Sequence, residues 1–260
     1  MADKSAIQWT DATWNPVTGC TKISPGCKHC YAEKWSQRMR NMGVEKYQNG
    51  FKLTLHPETL GQPLSWKEPR RVFVNSMSDL FHDEIPDEYI GEVLNICGQT
   101  PQHTYQILTK RADRLTAWEK DLMRLPNVWV GVSVEDQARA QERIVSLLLC
   151  GTHTPFVSAE PILGPLDLSD WLQAGIMWVI VGGESGPMHR PPRAEWIRAI
   201  RDQCLKAGVP FFFKQWGGFR PKSNGRCLDG RIWDEFPEQS CCIRVIPEKP
   251  AERTTSRISG

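Results

Sequence analysis

The chain has 260 residues, of which 40% are hydrophobic and 24% charged, and a formal net charge of +2. That length is ample for a substantial core, and the composition is that of an ordinary globular protein, which excludes extended disorder for most of the chain. The longest uninterrupted apolar run, Ile176 to Val181, is far short of a membrane span, and a charge so near zero identifies no polyanionic partner by itself.

In chain order, Gln8–Thr13 is a candidate first strand, followed by a loop that carries Cys20, Cys27 and Cys30. Tyr31–Met42 reads as the helix after that loop, and residues 43–68 are expected to form an inserted loop or hairpin. From Arg70 onward, short β-branched or aromatic runs alternate with amphipathic stretches, the pattern of successive β/α units. The strands expected are Val72–Asn75, Tyr105–Leu108, Val128–Ser133, Phe156–Ser158, Trp178–Val181 and Phe211–Lys214. Their starts recur every 22 to 33 residues, which leaves room for a strand, a crossover helix and two turns and so implies parallel pairing.

The intervening helices have readable ends. Pro86 suits a first turn, Ile90, Val93, Leu94 and Cys97 make one apolar face before Gly98, and Ile197, Ile200, Cys204 and Leu205 line another helix that Gly208 can terminate. The fold class expected is α/β, a partial barrel of (β/α)6 type with the cysteine loop at its C-terminal rim. No internal repeat or Gly/Ser-rich linker divides the chain, so residues 1–236 are expected to form one domain and the polar, aperiodic residues 237–260 a poorly ordered tail.

Nine cysteines in a chain whose N-terminus shows no export signal point to reduced thiols and a cytoplasmic location rather than to a disulfide framework. Three fall within the eleven residues Cys20-Thr-Lys-Ile-Ser-Pro-Gly-Cys27-Lys-His-Cys30, and chelation accounts for that clustering. Three thiolates suit an iron–sulfur cubane, because one of its four irons then stays open for a cofactor or substrate. Two other readings stand beside this one: a structural zinc site completed by His29 or Cys227, and unliganded buried thiols. Cys97, Cys150 and Cys204 fall on apolar helical faces or ends and are expected to serve packing.

In a parallel barrel, residues just beyond the C-terminal ends of the strands share one rim, where chemistry concentrates. Ser76, Ser78 and Asp79, then Thr109 and Lys110, Ser133 and Glu135, Ser158 and Glu160, Glu184, and finally Lys214 and Gln215 occupy these places in turn. Taken singly, each reads equally as a helix cap, a turn residue or a solvated charge, and Asp79 and His82 as surface groups. Gly182-Gly183 lacks a phosphate-loop pattern and is expected to allow close approach of a ligand to the backbone.

The cysteine loop, placed between a strand and a helix, resembles that of the radical S-adenosylmethionine superfamily, whose usual pattern is C-x3-C-x2-C; here the first gap is six residues. Trp14-Asn-Pro-Val-Thr-Gly-Cys20, Asn75-Ser-Met-Ser-Asp-Leu-Phe-His82 and Val181-Gly-Gly-Glu-Ser-Gly186 further resemble a phage-associated family of three-cysteine proteins, over Trp9 to about Trp216. That family is distantly similar to the spore photoproduct lyases, radical enzymes acting on thymine dimers in DNA. The resemblance implies a 4Fe–4S cluster on Cys20, Cys27 and Cys30, S-adenosylmethionine as cofactor, and a reducing electron donor. It implies His29 near the adenine, Ser76, Ser78 and Asp79 at the methionine end, and Ser133 and Glu135 as further cofactor contacts. Glu160, Glu184, Lys214 and Gln215 would then face the substrate as catalytic candidates. A modified thymine in phage DNA, rearranged or cleaved in the host cytoplasm, is the substrate implied. The alternatives are a radical enzyme on tRNA, a peptide or a small metabolite, and a zinc-stabilised nucleic-acid-binding module without catalysis.

Overall fold

The computed structural model describes residues 5–220 and 222–238. The chain begins with β1 (Ala12–Trp14) and β2 (Val17–Thr18), continues through α1 (Tyr31–Asn41) and β3 (Thr54–Leu55), and then runs β4 (Arg71–Val74), α2 (Asp87–Gln99), β5 (Thr104–Thr109), α3 (Glu119–Leu122), β6 (Val128–Ser133), α4 (Gln137–Leu149), β7 (Thr154–Ala159), α5 (Ser169–Ala174), β8 (Trp178–Gly182), α6 (Ala194–Ala207) and β9 (Phe211–Gln215). A hairpin of β10 (Cys227–Leu228) and β11 (Arg231–Ile232) follows. Seven strands pair in the order β1-β4-β5-β6-β7-β8-β9, every neighbour parallel, and the sheet curls into a half-barrel.

All six strands expected after Arg70 form, and β1 adds a seventh at the edge. The N-terminal strand is shorter and later than Gln8–Thr13. Asp11 N–H reaches the Arg71 carbonyl at 2.9 Å and Thr10 Oγ1 reaches the same carbonyl at 2.9 Å, so the ladder begins at Ala12 and Trp9 turns inward, buried. Between α1 and β4, β3 pairs antiparallel with β2 over two residues, and three short 3-10 turns fill the rest. The tail expected over residues 237–260 lies almost wholly outside the described residues. No described helix is long and apolar enough to cross a membrane.

Strand alternation divides the core in two. Val72, Val74, Tyr105, Ile107, Val128, Val130 and Val132 face the helices, in one core cluster with Ile90, Val93, Leu94 and Cys97 of α2 and Ile197, Ile200 and Cys204 of α6. Leu205, placed on that buried face by its spacing, is 52% exposed. Gly208 ends α6 in the left-handed conformation at φ 67°, the role its position implied.

The opposite sheet face is aromatic at the bottom. Trp9, Phe73, Trp129, Phe156, Trp178 and Phe212 pack into one buried cluster, with Trp9 and Phe73 ring centroids 4.6 Å apart and Phe156 and Trp178 5.5 Å apart. At Gly131 a β-carbon would stand 2.4 Å from the Phe156 ring, so glycine is what lets that ring lie flat on the barrel floor. Two residues further along each strand the same face turns polar: Ser133 follows Gly131, Ser158 follows Phe156 and Lys214 follows Phe212. The barrel is thus plugged below and polar at its carboxyl-end mouth.

Candidate functional site

The cysteine loop leaves β2, passes Cys20, makes a 3-10 turn at Pro25–Cys27 with proline at its start, and enters α1 with Cys30 as the residue before the helix. Cys27 N–H to the Ser24 carbonyl at 3.0 Å, and Cys30 N–H to the Cys27 carbonyl at 3.3 Å, set consecutive turns that hold these two cysteines on one short bend. Cys20 Sγ lies 3.6 Å from an Arg111 guanidinium nitrogen, and Cys27 Sγ 3.6 Å from Ser24 Oγ. Burial, with Asp79 nearby, pushes the Cys20 thiol up to about 11 against the opposing pull of Arg111. At Cys27 burial also pushes upward, but the Ile23 backbone, Lys110 and Ser24 outweigh it and leave the thiol below its ordinary value.

Three rim residues hold this loop in place: Glu135, Ser78 and, through Arg190, Glu184. Glu135, fully buried, accepts the Gly26 N–H at 3.0 Å with one carboxylate oxygen and Arg143 at 3.1 Å with the other. Burial alone would raise its pKa; hydrogen bonds from Ser24 and Gly26, with the Arg143 charge, bring it below the usual glutamate value. Ser78 Oγ donates to the Gly19 carbonyl at 2.6 Å. Asp79 accepts from Phe81 N–H, Thr109 Oγ1 and Lys110 N–H at 2.7 to 3.1 Å, so its carboxylate ties β4's end to β5's end. Glu184 binds Arg190, which reaches across to the Pro25 carbonyl at 3.0 Å.

Asp79 and His82 are therefore not surface groups: both are buried. His82 Nδ1 accepts the Glu84 N–H at 3.2 Å, which leaves Nε2–H to donate to Thr21 Oγ1 at 2.9 Å. Burial, with Arg111 close by, lowers its pKa and favours that neutral ring. Arg111 in turn donates to Thr21 Oγ1 at 2.6 Å. Gly183, directly after β8, also differs from expectation. A β-carbon at Gly183 would lie 2.0 Å from the Trp216 carbonyl, so Gly183 makes room for the chain itself rather than for a ligand.

At the mouth, Lys214 Nζ and Glu160 Oε1 meet at 2.7 Å, with side chains 18% and 21% exposed. Gln215 is buried and hydrogen-bonded to Ser185 Oγ at 2.9 Å and to the Lys222 N–H at 3.1 Å. Ser133 is buried at the end of β6, and His29 is half-buried on the cysteine loop, near Glu184. Ser76 is half-buried, with Oγ 3.1 Å from Asn15 Oδ1 and its carbonyl accepting the Tyr31 hydroxyl. It also lines a cleft of about 820 Å³ between α1, residues 44–62 and the end of β1.

Sequence reasoning passed over Arg111, Arg143 and Arg190, the cations that complete these contacts. Only Arg143 carries a signal: it sits among Ala140, Ile144 and Leu147 on the inward face of α4, where an unpartnered charge would be prohibitively costly. Asp136, by contrast, caps α4 through the Arg139 N–H at 2.9 Å.

The donor set fits a cluster in its chemistry. Cys20, Cys27 and Cys30 are free, partly accessible thiols on one loop, the soft ligands that iron–sulfur clusters take. Among the described residues no group of three or more His, Cys, Asp or Glu side chains could hold a single metal ion. A cubane does not ask for that convergence, since each thiolate binds a different iron. Cys227, a candidate fourth zinc ligand, is exposed on β10.

Residues 4–237 match the model of a family described as a protein of unknown function, DUF5131. No curated protein matches the chain. Among solved structures, spore photoproduct lyase complexed with dinucleoside spore photoproduct is similar at 12% identity and a TM-score of 0.42, over 76% of this chain and 53% of that one. A double mutant of spore photoproduct lyase with bound AdoMet and dinucleoside spore photoproduct is similar at 12% identity and a TM-score of 0.44, over 77% and 54%. The chain spans about half the length of these structures.

Proposed function

We propose that this chain, which belongs to the DUF5131 family, is a radical S-adenosylmethionine enzyme that holds a 4Fe–4S cluster on Cys20, Cys27 and Cys30 and acts on a modified thymine base in DNA. The observation that carries the reading is the loop itself: three free thiols, laid over the carboxyl ends of a parallel half-barrel and pinned there by Glu135, Ser78 and Arg190. When bound, the cluster and S-adenosylmethionine would supply one-electron reduction and a carbon radical able to abstract hydrogen, fed by an external electron donor.

The protein's own part is to position and to exclude water. Ser78, Asp79 and Glu135 act through the loop and strand ends they bind, and Glu184 through Arg190. Ser76, just past the end of β4, Ser133, at the end of β6, and His29, on the loop, are left to meet the cofactor. Lys214 and Glu160, paired across the mouth, present a donor and an acceptor suited to the amide-like edge of a thymine derivative. The aromatic floor bars deeper entry, which keeps the reacting groups at the rim. The choice of thymine rests on the resemblance of the sequence motifs to the phage-associated family.

Anaerobic reconstitution of the full chain should give about four irons and four sulfides per chain with visible charge-transfer absorption, and serine at any of the three cysteines should remove it. Stoichiometric zinc without iron or sulfide, in protein prepared anaerobically with iron present, would overturn the reading. For the substrate, reduced enzyme should form more 5′-deoxyadenosine with DNA carrying the modified thymine than with unmodified DNA, free nucleosides or tRNA. A product from tRNA or a small metabolite alone would overturn the substrate assignment and leave the radical chemistry standing.

A further inference from the structure

The cleft beside the cysteine loop is walled on one side by α1, and that helix is unusual in what it buries. Only Ala32 and Ser36 are buried on its inner face. Tyr31, Lys34, Trp35 and Arg38 recur at helical spacing on the opposite side, where Tyr31 is 56% and Trp35 47% exposed. The Arg38 guanidinium stands over the Trp35 ring at 5.6 Å, and the Lys34 ammonium reaches to Gly186 in the loop after β8. Glu33, the one acid on the helix, is engaged by Lys22 at 2.7 Å, whereas among the described residues no carboxylate pairs with Lys34, Arg38 or Arg40. The outer face of α1 is therefore an exposed aromatic ring set in uncompensated positive charge.

Trp35 also lines the cleft, together with Val44, Tyr47, Asn15 and Ser76. Inside, the charges are mixed: Lys46 Nζ is fixed on the Asn15 carbonyl at 2.7 Å, His56 Nδ1 lies 3.4 Å from Glu58, and Glu45 also faces the cleft. With Glu45 and Glu58 set against Lys46, such an interior offers a phosphate no net positive charge but accepts a neutral ring with hydrogen-bonding edges. A volume of about 820 Å³ falls within the usual range for small-ligand clefts, about 300–1,000 Å³. The far wall, at Ser76, belongs to the strand end that Tyr31 ties to α1.

We propose that this cleft seats a single base of a nucleic-acid strand, stacked on Trp35, while the strand's phosphates run along α1 over Lys34 and Arg38. The inference rests on the nucleic-acid reading above and adds a second hold on the strand: the target base, taken out of the stack, meets Lys214 and Glu160 at the mouth, and the cleft takes a base beside it. Stacking on an exposed aromatic with flanking cations is how single strands are held without sequence preference, so the contact is read chiefly by backbone charge.

The test is fluorescence anisotropy with end-labelled single-stranded DNA and RNA oligonucleotides of the same sequence, using the full reconstituted chain without reductant. Binding should weaken steeply with salt. Trp35→Ala should weaken it on the order of tenfold, and Trp35→Phe much less. Lys34→Gln and Arg38→Gln should each lower affinity for every sequence and flatten the salt slope by about 0.7, the increment for one single-strand phosphate. All four side-chain changes lie outside the core, so circular dichroism and iron content should stay at wild-type values. Equal oligonucleotide binding by wild type and all four variants would overturn the proposal, as would binding of free nucleosides but of neither polymer. Because iron and sulfide are measured in the same samples, a cluster that forms while α1 proves indifferent refutes this inference alone, whereas absent iron refutes the radical reading instead.

Discussion

The Glu135 carboxylate meets the Gly26 N–H at 3.0 Å across 109 residues of chain. That contact fastens the turn carrying Cys27 to the end of β6, at the mouth of the half-barrel. It works only because Arg143, itself 1% exposed, neutralises the other carboxylate oxygen. The position of the cysteine loop thus depends on an ion pair buried beneath it.

Removing one partner of a buried pair leaves the other charge stranded, at a cost of about 3–5 kcal/mol. Glu135→Ala should destabilise the protein by that order in urea unfolding and reduce the iron retained after reconstitution. Glu135→Gln keeps an acceptor for Gly26 and should retain more iron than the alanine variant. Adding Arg143→Met to Glu135→Ala should recover stability without restoring the loop contact, so iron retention should stay low. If iron retention follows global stability across these variants, the loop-anchoring role is refuted.

The cysteines should separate by burial. Cys97, Cys150 and Cys204 are buried, and burial pushes their thiols upward, to about 11 for Cys150 and about 12 for Cys204. In native, metal-free protein they should resist alkylation until denaturant is added. Cys27, Cys30 and Cys227 should label first, as peptide mass spectrometry would report, and Cys20, partly accessible but with its thiol pushed up to about 11, should follow more slowly. Rapid native labelling of Cys204 would contradict its placement in the α6 interface.

How much of this was legible beforehand follows from which interactions are local. Runs such as Val128–Ser133 announce strands because both sheet faces are covered and nearly every residue must be apolar. The alternation of Phe156 with Ser158 and of Phe212 with Lys214 even marks where the barrel floor ends and the mouth begins. The clamps were not legible. Arg190 finds the Pro25 carbonyl 165 residues away, and Asp79 is consumed by partners on β5 that no spacing reveals. Residues that look like ligand contacts by position, notably Glu135 and Ser78, prove to be bonded to the loop. Residues 43–68 lacked a period because their structure is a two-residue ladder and 3-10 turns, held by contacts such as the Trp14 indole on the Thr59 carbonyl at 2.9 Å.

Acid should loosen the second clamp. Burial favours the protonated form of Glu184, but Arg190's hydrogen bonds and charge outweigh it and bring the folded-state pKa below the ordinary glutamate value. A lowered carboxylate contributes stability that is present above its unfolded pKa, about 4.3, and is lost as pH falls through the lower folded value. The melting temperature of wild type should therefore exceed that of Glu184→Gln at neutral pH, and the gap should close progressively below about pH 4.3. A gap that stays constant down to pH 3 would show that the pair adds no charge-dependent stability.

The Lys214–Glu160 pair offers the clearest separation of structure from chemistry. Its two side chains are about four-fifths buried, so breaking it should cost between the ~1 kcal/mol of an exposed pair and the ~3 kcal/mol at the low end for a buried one. Lys214→Met leaves the Glu160 carboxylate facing the mouth alone, and Glu160→Gln leaves the ammonium alone; the double variant removes both charges and should regain part of the stability. If the pair meets the substrate, all three variants should bind S-adenosylmethionine and cleave it in the absence of substrate at near wild-type rates. Addition of modified DNA should then raise 5′-deoxyadenosine formation in wild type but much less in any variant, including the more stable double one. That last comparison decides the matter: recovery of substrate-dependent turnover in step with recovered stability would make the pair a structural brace, whereas stability regained without turnover assigns it to the substrate.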